Sequence, residues 1–120
     1  MLTTEQKFER WQKALDCGGP THRISDIVDL IKAGKAQFWE RGDGCIITEF
    51  NDFPLMRTIN YWLIFGRLED CLSLDARITD CAIREGCKVA TATGRKGWGR
   101  AGAPYGWRPW WPMFIKELAP

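Results

Sequence analysis

Few residues in this 120-residue chain have side chains suited to catalysis, and they are scattered. His22 is the only histidine, and no cysteine or acid stands at a recognisable ligand or triad spacing from it, so it reads as a surface residue before a helix. The five cysteines, Cys17, Cys45, Cys71, Cys81 and Cys87, contain no C-x-x-C pair, and no zinc site follows from them. Cys71 and Cys81 fall on a helix face expected to be buried, and Cys45 and Cys87 begin strands. Cys17 is the one expected to be exposed. Buried thiols are inert as nucleophiles. Glu49, in the run Ile46-Ile47-Thr48-Glu49-Phe50, alternates with apolar neighbours. It lies either on a solvated face or as a carboxylate lining a cleft.

The strongest chemical signal is a junction. In Arg57 to Glu69, RTINYWLIFGRLE, alternation puts Ile59, Tyr61, Leu63 and Phe65 on one face and Asn60, Trp62 and Ile64 on the other. Both faces are largely apolar, as a central strand covered on two sides requires. Gly66 ends the strand and a helical pattern follows. A strand passing through glycine into a helix is a common place to bind an anion.

The flanking elements must position that junction. Thr3 and Gln6 have capping-box spacing, and Phe8, Trp11 and Leu15 share a face, so a first helix is predicted from about Thr4 to Leu15. Cys17-Gly-Gly-Pro20 ends it. Ser25 or Thr21 can cap a second helix with the stripe Ile24, Ile27, Val28 and Ile31, ended by Gly34. Gln37 to Glu40 and Cys45 to Phe50 flank a Gly-rich turn and predict a hairpin, with Asn51 to Pro54 breaking the second strand. The helical pattern after Gly66 predicts the longest helix, from Glu69 or Ser73 to Glu85. Cys87 to Thr93 then reads as a strand completing a βαβ crossover with a parallel pair. Gly94 to Tyr105 reads as a distorted helix or loop, and Arg108 to Lys116 as a last strand interrupted by prolines. One domain, spanning 1–120, is expected.

Composition restricts the function classes. A net charge of +2 and a pI near 8.3 are too mild to argue for nucleic acid or a membrane surface. No apolar run reaches the roughly 18 residues of a membrane span. The polar N-terminus and the odd cysteine count point to reduced thiols and a cytoplasmic location. Seven tryptophans are unusual at this length. Trp98, Trp107, Trp110 and Trp111 interleave with basic residues that include Arg100 and Arg108, a composition suited to a contact with another protein and, less so, to base stacking.

The order of elements resembles the GNAT (Gcn5-related N-acetyltransferase) fold. Ala82-Ile83-Arg84-Glu85-Gly86-Cys87 looks like the A-x-x-x-G-C end of that family's central helix. Tyr105-Gly106-Trp107 looks like the G-F or G-W that opens its last strand. Short GNAT-like proteins of tailed phages show similar blocks, at Ala36 to Trp39, Ile47 to Phe50, Gly94 to Trp98 and Lys116 to Leu118. The resemblance implies an α/β (α+β) fold: a mixed, mainly antiparallel sheet with helices on both faces and one central βαβ crossover.

It also implies acetyl-CoA held by the backbone of Phe65, Gly66, Arg67, Leu68, Glu69 and Asp70, with its pantetheine arm along the central strand. Glu49 or a water near Asn60 would serve the amine, and Tyr105 would have to replace the family's acid, whose position here is Gly102. The family's phosphate loop reads Q/R-x-x-G-x-G/A, whereas this segment keeps only Gly66 and carries Glu69 and Asp70, whose charge would repel a diphosphate. Two functions follow as expectations. One is a non-catalytic phage protein of the virion or its assembly, with the aromatic C-terminal region contacting other phage structural proteins or a second copy. The alternative is an N-acetyltransferase acting on an amine of a protein or small molecule. No metal is expected.

Overall fold

A computed structural model describes residues 4–17, 21–93, 98–110 and 116–118. The order is α1 (Thr4–Cys17), α2 (Ile24–Lys32), β1 (Gln37–Arg41), β2 (Gly44–Phe53), β3 (Met56–Phe65), α3 (Leu68–Arg84), β4 (Cys87–Ala92) and α4 (Trp98–Gly102), followed by a 3-10 turn, Ala103–Tyr105. The sheet order is β1-β2-β3-β4, antiparallel except for the parallel β3–β4 pair that α3 connects. The crossover and meander expected from the sequence are both present.

Two apolar clusters sandwich the sheet. On one side Trp11, Leu15 and Ile27 of α1 and α2 meet Cys45, Ile47 and Phe65, with Trp62 and Leu63 at the margin. On the other side Cys71, Leu74, Ile78 and Ala82 of α3 meet Ile46, Ile59 and Tyr61. The α3 residues recur at spacings of three and four, which places them on one stripe.

Several boundaries differ from expectation. Arg23, rather than Ser25 or Thr21, is the N-cap of α2, and its backbone N–H donates to Asp26 Oδ2 at 2.8 Å. Ile24 packs against the first cluster as the opening residue of the helix, which draws Ser25 into the first turn. Pro54 does not cut β2 short: the strand runs to Phe53 and pairs with Met56 across Pro54-Leu55. Proline's fixed φ suits the tight turn. α3 starts at Leu68, before either expected residue. Of the expected last strand, 108–110 and 116–118 have no regular secondary structure, and 111–115 lie outside the described residues.

The most consequential difference is a bulge in β3. Ile47 pairs with Leu63 but Thr48 pairs with Tyr61, which leaves Trp62 as the extra residue. Simple alternation therefore fails. Ile59 and Tyr61 face α3, whereas Leu63 and Phe65 face α1 and α2, and Ile64 returns to the α3 side. A bulge of this kind bends the strand and increases its twist. The parallel pairing with β4 stops at Tyr61 and Ala92, where β4 ends, so a fork lies at the bulge, beyond which β3 runs on without that partner.

Candidate active site

The site is built around that fork. From Trp62 to Phe65, β3 has no partner on its β4 side among the described residues. At the end of this free edge Gly66 turns the chain with φ +88, a left-handed conformation that suits glycine. A Cβ at that position would overlap the Asp43 carbonyl of the β1–β2 turn. The glycine is required by a close backbone approach as well as by its dihedral.

The N-terminus of α3 follows at once. Its N-cap, Arg67, makes no side-chain capping bond, and the first N–H groups of a helix have no intrahelical acceptor. The two acids that were expected to repel an anion here are already engaged. Asp70 Oδ2 accepts from the Asp43 N–H at 3.1 Å, and Glu69 pairs with Arg67 at 3.0 Å. The carboxylate of Asp70 is thus tied to the hairpin turn. The N–H groups and dipole at the start of a helix favour negative charge in general. Phe65 is not at the surface; it is buried and stacked on Trp11 with ring centroids 5.5 Å apart.

On the α1/α2 face a polar row crosses three strands. Thr91 Oγ1 donates to Asn60 Oδ1 at 3.0 Å, and Asn60 Nδ2 donates to Glu49 Oε1 at 3.1 Å. All three are half-buried. Glu49, read either as a solvated residue or as lining a cleft, is half-buried and accepts from Asn60. Asn60 and Thr91 are register partners one rung before the fork. Beside the row, the His22 ring meets the Trp62 ring edge-on at 4.8 Å, and His22 Nδ1 lies 2.7 Å from Thr21 Oγ1. The histidine read as a surface residue is instead half-buried against the bulge.

Other sequence-predicted positions fall elsewhere. Tyr105 is 52% exposed in the 3-10 turn, two residues before Trp107, which packs on the α3 side. A Cβ at Gly102 would lie 3.0 Å from Trp107 Cβ and 3.2 Å from its indole, so a side chain there requires Trp107 to shift.

Trp107, expected at an intermolecular contact, has an internal role. Its Nε1–H donates to Asp75 Oδ1 at 3.2 Å, and the Tyr61 hydroxyl donates to the same oxygen at 2.8 Å. Burial, and then the bond to Asp75, push the Tyr61 phenol well above its ordinary range. Arg100, Arg108 and Trp110 are exposed. The Trp98 side chain and Trp111 lie outside the described residues.

Neither Thr91 nor Asp75 belongs to a recognisable motif in the sequence. Asp75 was discoverable, because it lies four residues after Cys71 and three before Ile78 on the buried stripe. An acid there needs donors. Among the described residues no group of three or more histidines, cysteines and acids is placed to hold a metal, and no helix is long and apolar enough to cross a membrane. Burial raises the Cys45 and Cys71 thiols above their ordinary range.

This arrangement is a GNAT-like fold. The chain superposes on a solved structure described as a probable acetyltransferase, with a TM-score of 0.67 and 12% identity, covering 99% of this chain and 96% of the other. An acetyltransferase from Trypanosoma brucei matches with a TM-score of 0.66 and 10% identity, over 98% and 97%. A transcriptional regulator from Bacillus halodurans C-125 matches with a TM-score of 0.66 and 12% identity, over 98% and 96%. No family model and no curated protein matches the sequence.

Proposed function

We propose that the chain is an N-acetyltransferase that moves an acetyl group from acetyl-CoA to an amine. The observation carrying this reading is a half-buried carboxylate, Glu49, held by Asn60 one rung from a fork that ends at an uncapped helix N-terminus. The diphosphate of the donor would lie against the N–H groups of 67–70. Its pantetheine arm would run along the free edge of β3 from Trp62 to Phe65. The amine would approach on the α1/α2 face.

There Glu49 takes the ammonium proton, directly or through a water, and frees the nitrogen lone pair. The nitrogen attacks the thioester carbon and a C–N bond forms. The nitrogen gives up its extra proton to solvent, the C–S bond breaks, and the sulfur leaves as a thiolate that is protonated by solvent. Base assistance of this kind contributes roughly 10²–10⁴-fold. Two of the three superposable structures above are described as acetyltransferases, which supports the same reaction.

The test is thiol release from acetyl-CoA in the presence of a panel of amines and N-terminal peptides. Amine-dependent release that falls at least about 100-fold in Glu49→Gln, with an unchanged fold, is expected. Release unaffected by this change would overturn the role of Glu49, and no release with any acceptor would overturn the enzymatic reading.

A second role is favoured by exposure near the C-terminus, where Trp110 is 58% and Leu118 87% exposed and Arg108 is exposed as well. These residue types suit a contact with another protein, as a virion or assembly component would need. Size-exclusion chromatography with light scattering, comparing the protein with Trp110→Ala, tests self-association through this region. A dimer lost on substitution supports it, and a monomer in both removes the self-association form.

A further inference from the structure

We infer that Thr91 is a positioning residue that connects the fork between β3 and β4 to Glu49. This rests on the N-acetyltransferase reading for its functional consequence, but the structural link stands on geometry alone. Carboxylate oxygens only accept hydrogen bonds when ionised, so the Asn60 group facing Glu49 at 3.1 Å must be the NH₂. The Asn60 carbonyl oxygen then faces Thr91, whose hydroxyl must be the donor at 3.0 Å. The polarity of the whole row is thereby fixed: Thr91 to Asn60 to Glu49.

Glu49 Oε2 has no partner among the described residues, which leaves it available to an incoming amine. Without the Thr91 hydroxyl the amide loses its second anchor, and its half-buried carbonyl is left without a donor. Glu49 would then face a side chain free to rotate.

The location of Thr91 adds a second consequence. Asn60–Thr91 and Tyr61–Ala92 are the last two rungs before β4 ends. A ligand in the fork would lie against the end of β4 that carries Thr91. A contact made there reaches Asn60, and through it the carboxylate on the acceptor side.

The test uses the whole chain with two substitutions and two readouts. Thr91→Val keeps the shape and β propensity of the side chain and removes the hydroxyl, whereas Thr91→Ser restores a donor. Amine-dependent acetyl transfer should fall about tenfold or more in kcat for Thr91→Val, with little change in KM for acetyl-CoA, and recover in Thr91→Ser. The side-chain amide resonances of Asn60, followed by ¹⁵N NMR, should move in Thr91→Val and return towards their original positions in Thr91→Ser. Acetyl-CoA should shift them in the unaltered protein and leave them unmoved in Thr91→Val.

Transfer within twofold of the unaltered protein in Thr91→Val would overturn the inference, as would Asn60 resonances indifferent to the substitution. If the unaltered protein transfers nothing while Thr91→Val still moves the Asn60 amide, the hydrogen-bonded row is supported and the transferase reading fails.

Discussion

The two faces of the sheet each carry a carboxylate joined by hydrogen bonds to β3, and they are arranged for opposite purposes. On the α3 face, Asp75 is 8% exposed and accepts from both Tyr61 and Trp107 through one oxygen. The Tyr61 and Trp107 rings meet edge-on at 4.9 Å and close the site. On the α1/α2 face, Glu49 is half-buried, accepts from Asn60 alone among the described residues, and stands beside a fork. A carboxylate whose oxygen takes two ring-borne donors inside a packed wall holds elements together. One with a free oxygen beside an opening can exchange a proton.

The contrast can be tested from either side. The largest change in stability is expected for Asp75→Ala, which leaves a buried hydroxyl and an indole N–H without an acceptor. Urea denaturation should show a loss of about 3 kcal/mol, with Asp75→Asn losing less because its carbonyl still accepts. Glu49→Gln should change stability by less than about 0.5 kcal/mol, since its neighbour can still donate to the new amide oxygen. Comparable losses at the two positions would erase the distinction drawn here.

An effect between these two is expected at Gly102. Gly102→Ala must push against the Trp107 ring, and a loss of about 1–2 kcal/mol should appear in the same denaturation experiment. A neutral result would show that the 3-10 segment gives way easily.

The alkaline limb of stability separates the faces further. Tyr61 is held above its ordinary value of 10.0 by burial and Asp75. Its contribution is full below about pH 10, the unfolded value, and is lost as pH rises because the unfolded chain releases the proton first. Cys45, raised above 9.0 by burial and by Glu40, acts in the same sense. Tyr61→Phe should therefore flatten, without abolishing, the fall in stability above pH 10, as seen by denaturation at stepped pH. The least perturbing probe is alkylation of the native protein, in which Cys45 and Cys71 should react far more slowly than after unfolding.

Much of this molecule is legible in the sequence, and what is missed has a physical cause. The passage from Tyr61 through Gly66 into Leu74 announces strand, turn and helix by periodicity alone. The bulge at Trp62 is invisible there, because Trp62, Leu63 and Ile64 are all apolar and alternation carries no information where both faces are covered. Face assignments therefore fail from Leu63 onward, and with them the location of the fork. The side-chain partners at the start of α3 are likewise hidden in the sequence. Charge counting sees Glu69 and Asp70, whereas the directions that turn them to Arg67 and Asp43 arise from packing of the β1–β2 turn. Asn60 and Thr91 are distant in sequence and meet only because the crossover sets β4 parallel to β3.

The central claim is that acetyl-CoA enters the fork and is held at the start of α3. A titration of ¹⁵N-labelled protein with acetyl-CoA, read at the backbone amides, addresses it most directly. Saturable shifts concentrated between Trp62 and Asp70 and on the facing end of β4, with micromolar affinity and a matching rise in thermal stability, are the expected result. Amides between 62 and 70 that stay in place up to millimolar acetyl-CoA would contradict the account.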